Sequence, residues 1–119
     1  MRIEQFALEG LGHLSHLLVD EATGTATVVD PRRDVEVYLE AAQRHGARIT
    51  HILETHLHND YVTGASELAA RTNAVIVASA AAPPAYAHQA VRDGERFAVG
   101  ELRVEVLATP GHTPEHVSY

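Results

Sequence analysis

An uninterrupted apolar run of strand length, at residues 74–78, most limits the folds open to this chain. Its sequence is Ala-Val-Ile-Val-Ala, and a strand without polar alternation is typical of a sheet that is covered on both faces. A second strand-like run, at residues 49–53, precedes it and is separated from it by a helical segment. This order predicts a mixed β-sheet with helices on at least one face.

The other segments predict the order β-β-β-α-β-α-β-β-β in one domain of 119 residues. Apolar spacing predicts a helix at about 35–45, with Asp34 as its N-cap and Gly46 just beyond its C-terminus. A second helix is expected at 65–71, and an irregular or briefly helical segment at 80–88. The further strands are expected at 2–8, 15–20, 25–30, 97–99 and 102–107.

Composition excludes several classes of partner and site. The formal charge of −7 argues against binding to nucleic acid or to an anionic membrane. The chain has no cysteine, so it can form neither a disulfide nor a thiolate metal site, and any sulfur chemistry would involve a substrate thiol. No apolar run reaches the length of about 20 residues that spans a membrane, and a cytoplasmic location is expected.

Side chains that bind metals follow two of the predicted strands. His56, His58 and Asp60 occupy alternate positions after the run at 49–53, and alternate side chains of an extended segment share a face about 6.5–7 Å apart. A turn there would bring both imidazoles within about 2.0–2.1 Å of one ion. A Pro-Gly turn presents His112 after the last predicted strand. These four residues predict a metal site.

Other polar residues carry weaker predictions. His116 is expected at the surface or behind the metal ligands, and His51 in the core or in a supporting position. His13 and His16 are expected at the surface, or in contact with an entry loop. Asp30 allows two interpretations, either as part of a helix cap with local ion pairs or as a residue that orients a metal-binding histidine.

These blocks resemble the metallo-β-lactamase-fold superfamily. Its motif His-x-His-x-Asp-His is matched by residues 56–61, except that Tyr61 replaces the last histidine. The histidine that follows a strand in the superfamily is matched by His112, and the aspartate that ends a strand by Asp30. Over 28–34, 54–64 and 91–95, the sequence looks most similar to the persulfide (sulfur) dioxygenase branch, which includes rhodanese-fused bacterial members.

The resemblance implies a mixed α+β fold, the first half of a four-layer αββα sandwich with helices on the outer face of a mixed sheet. It also implies one iron, Fe(2+), held by two histidines and an aspartate, and oxidation of glutathione persulfide or a related low-molecular-weight persulfide to sulfite by O₂. His56 and His112 would be iron ligands, while His58 and Asp60 would surround the metal or accept protons. Tyr61 favours one metal over two, because a phenol with a pKa of about 10 is a poor ligand at neutral pH.

Two alternatives remain open. The first is a glyoxalase-II-like hydrolase in which His56, His58 and His112 hold zinc, Zn(2+), and the substrate is a thioester or ester. The second is a catalytically silent fragment, because the resemblance places the aspartate ligand beyond residue 119. We therefore expect residues 1–119 to be a truncated domain with little activity. Its uncovered sheet face would favour a homodimer.

Overall fold

A six-stranded sheet is the main element of the computed structural model, which describes residues 1–8, 12–57, 63–81 and 83–119. The first two strand pairs are antiparallel and the next three are parallel. Its strands lie in chain order, as β1 (Arg2–Leu8), β2 (His13–Asp20), β3 (Thr25–Val29), β4 (Arg48–Leu53), β5 (Val75–Ser79) and β6 (Gln89–Val91).

Two helices cover one face of this sheet. α1 (Glu36–Arg44) lies between β3 and β4 in the chain, and α2 (Ala65–Thr72) lies between β4 and β5. Tyr38 of α1 is fully buried, and its hydroxyl lies 2.7 Å from Ser15 Oγ and accepts a 2.8 Å hydrogen bond from the Arg32 backbone N–H. The apolar core around it includes Leu17, Val28, Ile52, Leu68 and Ile76. Neither helix in the described part of the chain is long and apolar enough to cross a membrane.

Short strands cover part of the opposite face. β7 (Arg96–Val99) and β8 (Leu102–Glu105) form an antiparallel hairpin, and β9 (Leu107–Ala108) pairs with β10 (Val117–Ser118). A second apolar core is formed by Leu53, Val77, Val91, Val106 and Val117. Since β5 contributes to both cores, the prediction of a strand covered on both faces is confirmed.

A groove of about 640 Å³ lies between the hairpin and the sheet. Ile3, Leu18, Val29 and Val104 contribute to its apolar lining, and Ile3 is largely exposed. The groove agrees with the expectation that part of this sheet face is uncovered. The homodimer that this face would favour stays a prediction.

The predicted mixed α+β architecture is confirmed, with three local differences. The helix predicted at 35–45 begins at Glu36, and Val35 rather than Asp34 is its N-cap. Asp34 instead lies 3.8 Å from the Arg32 guanidinium, because the hydrogen bond from the Arg32 backbone to Tyr38 holds the preceding segment outside the helix. Gly46 ends the helix as predicted, with a left-handed φ of 64°.

The two other differences concern strands. β6 at Gln89–Val91 was not anticipated from the sequence, which predicted only an irregular or briefly helical segment up to residue 88. It forms because Val91 is buried beside β5. The strand predicted at 102–107 is divided, since β8 pairs with β7 whereas Leu107 pairs with Ser118 of β10.

We predict that Gly64→Ala destabilises the fold, because an added Cβ would lie 2.1 Å from the Arg32 carbonyl oxygen and 2.8 Å from a Val35 methyl group. Such overpacking typically costs about 1–3 kcal/mol. Urea unfolding would measure the loss. Gly111→Ala is the matched control, since its Cβ would meet nothing within 4 Å. Equal midpoints for the two variants would contradict the prediction.

Candidate metal centre

The candidate site lies where the carboxyl ends of the parallel strands β3 and β4 meet. Asp30 follows β3, and the segment from Glu54 to Leu57 follows β4. The loop between β9 and β10 lies beside them, because the Val117 backbone N–H donates to the Thr55 carbonyl at 2.8 Å. Loops that follow neighbouring strand ends therefore form one surface, as in other open sheets with parallel strands.

Three imidazoles meet on this surface. The ring centroids of His56 and His112 are 5.1 Å apart, and the rings are perpendicular. The ring of His116 stacks on that of His56, with centroids 5.0 Å apart and an interplanar angle of 19°. The hydroxyl of Thr109 lies 3.0 Å from His116 Nδ1. His116, expected only at the surface or behind the ligands, is thus a direct neighbour of His56.

The predicted ligand set of His56, His58, Asp60 and His112 stays a prediction. His56 and His112 are brought together, whereas His58 and Asp60 lie outside the described residues and their placement stays a prediction. Within the described ranges, no group of three His, Asp or Glu side chains is arranged to hold a metal ion. The two neighbouring imidazoles suit a divalent transition metal, since neutral imidazole is a common ligand of iron and zinc.

Asp30 occupies a constrained position beneath His56. Its backbone has a left-handed φ of 52°, which is uncommon for residues other than glycine and ends β3 at Val29. Its buried carboxylate accepts hydrogen bonds from the Thr55 backbone N–H at 2.8 Å and from the Thr55 hydroxyl at 2.6 Å. The same hydroxyl lies 2.8 Å from His56 Nδ1. These contacts favour the interpretation of Asp30 as an orienting residue.

His13 also supports this arrangement. Its side chain is 8% exposed, and its Nε2 lies 2.9 Å from the Asp30 carbonyl oxygen, to which it donates. The sequence predicted a surface position or contact with an entry loop for this histidine. The structure instead places it at the end of β3, because this hydrogen bond joins its imidazole to the residue that follows the strand.

Glu54 is a buried acid to which the sequence analysis assigned no role. It is 3% exposed, and its carboxylate accepts a hydrogen bond from the Thr63 hydroxyl at 2.7 Å. The Tyr119 phenol donates to its backbone carbonyl at 2.7 Å. Burial and then the Glu54 charge raise the pKa of Tyr86. In the sequence, the signal for Glu54 was its position directly before Thr55 and His56 in the motif.

Glu115 joins the two histidine loops. Its side chain is nearly buried, and its carboxylate accepts a 3.2 Å hydrogen bond from the Leu57 backbone N–H. Burial acts to raise the pKa of this carboxyl, but hydrogen bonds from backbone N–H groups outweigh it, and His56 contributes in the same direction, so the pKa is lowered. Glu115 therefore stays ionised near His56 at neutral pH.

We predict that Glu115→Ala loosens the contact between the two loops, because a hydrogen bond to a charged acceptor is lost. Hydrogen exchange of the Leu57 amide should become about tenfold faster or more, as expected for about 1.5–3 kcal/mol. Glu115→Gln keeps an acceptor oxygen and should change exchange less. An unaltered Leu57 exchange rate in the alanine variant would contradict the assigned contact.

Alkaline pH offers a second test of the buried network. Burial raises the pKa of Tyr38, Tyr86 and Tyr119 above the ordinary value of 10, so these phenols ionise more readily in the unfolded chain. The stability that the neutral phenols contribute is complete below pH 10 and should be lost as the pH rises above it. Urea midpoints measured across this range should fall, and less so in Tyr86→Phe. Ionisation of all three phenols near pH 10 in the folded protein would contradict the prediction.

Comparison with known proteins identifies the family of this chain. Residues 9–119 match the family model of the Metallo-beta-lactamase superfamily. A hydroxyacylglutathione hydrolase of Rhodospirillum rubrum is 38% identical over 110 residues, which cover 87% of this chain and 41% of that enzyme. A hydroxyacylglutathione hydrolase of Rhodopseudomonas palustris is 36% identical over 121 residues, with 100% and 46% covered.

Two solved structures are similar over nearly the whole chain. ETHE1 from Myxococcus xanthus has a TM-score of 0.93 and 34% identity, and the match covers 98% of this chain and 52% of that one. A metallo-beta-lactamase from Staphylococcus aureus has a TM-score of 0.91 and 34% identity, and the match covers 98% of this chain and 37% of that one. The chain spans about half the length of such relatives or less. By the match over residues 9–119, it belongs to the metallo-β-lactamase superfamily.

Proposed function

We propose that this chain contributes two histidine ligands, His56 and His112, to a mononuclear iron site of a persulfide dioxygenase. The substrate would be glutathione persulfide or a related low-molecular-weight persulfide, and the product sulfite. The observation that carries the proposal is the convergence of these two imidazoles, 5.1 Å apart, from loops after two different strands. Fe(2+) held by two histidines and a carboxylate has open positions at which a thiol-derived substrate and O₂ can both bind.

The type of residue at position 61 supports one metal rather than two. Dinuclear members of this fold have a histidine at this place in the motif, and this chain has Tyr61. A neutral phenol is a poorer ligand than imidazole. The similarity of the fold to ETHE1 from Myxococcus xanthus also supports the dioxygenase branch.

The protein groups around the two histidines would then have separate tasks. Asp30 and Thr55 hold His56 in a fixed orientation. Glu115 keeps the loop of His112 against the loop of His56 and adds negative charge beside the ligands. We assign His58 and Asp60 to the surroundings of the metal, as a further ligand or as proton acceptors.

A second function is favoured by the names of the sequence relatives. Hydroxyacylglutathione hydrolases match this chain at 34–39% identity, and a hydrolase of this kind would use His56, His58 and His112 to hold zinc. A glutathione thioester and glutathione persulfide both carry the reacting group, an acyl carbon or an outer sulfur atom, on the sulfur of glutathione. The two proposals therefore differ in metal and reaction more than in the thiol carrier.

Metal content after anaerobic purification distinguishes the two. We expect about one iron per chain and loss of that iron in His56→Ala and in His112→Ala. His45→Ala is the matched control, because His45 lies at the far end of α1 and pairs with Glu4 at 3.2 Å. Zinc retained in place of iron, together with hydrolysis of a hydroxyacylglutathione, would overturn the dioxygenase in favour of the hydrolase.

Turnover needs a separate assay. Oxygen uptake with glutathione persulfide should be slow for residues 1–119 alone, since the resemblance places the carboxylate ligand beyond residue 119. It should rise in a longer chain that supplies this ligand. Persulfide-dependent oxygen uptake at an ordinary enzymatic rate by residues 1–119 would contradict this expectation.

A further inference from the structure

We infer that Thr55 is a positioning residue that selects the tautomer of His56, with the proton on Nδ1 and the lone pair on Nε2. The consequence for metal binding rests on the proposed function, in which His56 is a ligand. The tautomer itself is a property of the protein without metal. The two can therefore be tested separately.

The hydroxyl group of Thr55 can donate only one hydrogen bond. The Thr55 hydroxyl has one proton and lies between two acceptor-capable atoms, Asp30 Oδ2 at 2.6 Å and His56 Nδ1 at 2.8 Å. An ionised carboxylate can only accept, so the hydroxyl proton points to Asp30. The hydroxyl oxygen then presents a lone pair to Nδ1, and this contact is favourable only if Nδ1 carries a proton. In the neutral ring, Nε2 is therefore unprotonated.

The orientation of the Asp30 carboxylate is fixed by further hydrogen bonds. Its other oxygen accepts from the Thr55 backbone N–H at 2.8 Å, which fixes the plane of the group. The Asp30 backbone is itself anchored, since its N–H donates to the Leu53 carbonyl at 2.9 Å and its carbonyl accepts from His13 at 2.9 Å. The left-handed φ of 52° at Asp30 is thus maintained by contacts on both sides.

The arrangement has a chemical consequence for a ligand. A metal takes the unprotonated nitrogen of a neutral imidazole, and the partner of the other nitrogen decides which one that is. Here the partner is a hydroxyl whose own direction is set by a carboxylate. Thr55 transmits the preference of Asp30 to the ring through its hydroxyl group.

Asp30→Asn should reverse the tautomer. Asparagine is similar in size and tolerates a left-handed backbone. Its carbonyl oxygen must face the Thr55 N–H, which places its NH₂ group against the Thr55 hydroxyl. The hydroxyl must then donate to His56 Nδ1, which moves the ring proton to Nε2. A carboxylate-to-amide change in a serine protease triad gives the wrong histidine tautomer for a comparable reason.

The measurement is the imidazole ¹⁵N–¹H correlation pattern of His56 in metal-free protein, at a pH at which the ring is neutral. We expect the Nδ1–H pattern in the native chain and in Thr55→Ser, which keeps the hydroxyl. We expect the Nε2–H pattern in Asp30→Asn, and a mixture in Thr55→Val, which has a similar shape without the hydroxyl. An Nε2–H pattern in the native chain, or an unchanged pattern in both Asp30→Asn and Thr55→Val, would overturn the inference.

Titration with Zn²⁺ alone provides the second readout. Affinity should fall about 10–100-fold in Asp30→Asn and in Thr55→Val, and stay near the native value in Thr55→Ser. Equal losses in all three variants, with the native tautomer kept, would overturn the role of the hydroxyl. An Nδ1–H tautomer in a native chain that binds no metal would overturn the proposed function and leave the tautomer inference intact.

Discussion

The site depends on one residue, Thr55, through which three parts of the chain are joined. Its backbone N–H and hydroxyl both donate to the Asp30 carboxylate, which ties the end of β4 to the end of β3. Its carbonyl accepts from Val117, which ties the loop between β9 and β10 to the same point. Its hydroxyl also contacts His56. The polar groups of Thr55 thus contact the end of β3, the start of β10 and the ring of His56.

The contacts of Thr55 explain how residues distant in sequence form one surface. His112 and His116 follow β9, and His56 follows β4, yet the ring of His56 lies about 5 Å from each of the other two rings. Glu115 adds a second connection through the Leu57 amide. Because both loops are anchored to strand ends, the imidazoles are held by the sheet and not by the loops alone. A metal ligand set benefits from such rigid support.

The two proposed functions use this geometry differently. Both place His56 and His112 on the metal, so the described residues support a metal centre more directly than they support either reaction. The distinction lies in the number of metal ions, for which Tyr61 is the sequence signal, and in the identity of the metal. Both comparisons agree with membership of one superfamily. The names of the sequence relatives favour the hydrolase proposal, whereas the structural similarity to ETHE1 favours the dioxygenase proposal.

Local patterns in the sequence determined the elements whose formation depends on neighbouring residues. The helix that ends at Gly46, the buried strand β5 and the hairpin of β7 and β8 follow from periodicity and turn residues, and each is present. The structure also brings His56 and His112 together, although β4 and β9 belong to different sheets. Asp34 was wrongly predicted as a helix cap, since its environment depends on Tyr38, a residue of the helix that follows.

Tertiary structure alone decided which polar residues support the histidines. Glu54 and Glu115 become buried, His116 stacks on His56, and His13 reaches the Asp30 carbonyl, because strands and loops far apart in sequence converge there. No periodicity marks such residues, since their partners come from other segments. The sequence by itself determined the fold class and two of the histidines that meet. The direction of each hydrogen bond, and with it the tautomer of His56, required the packed structure.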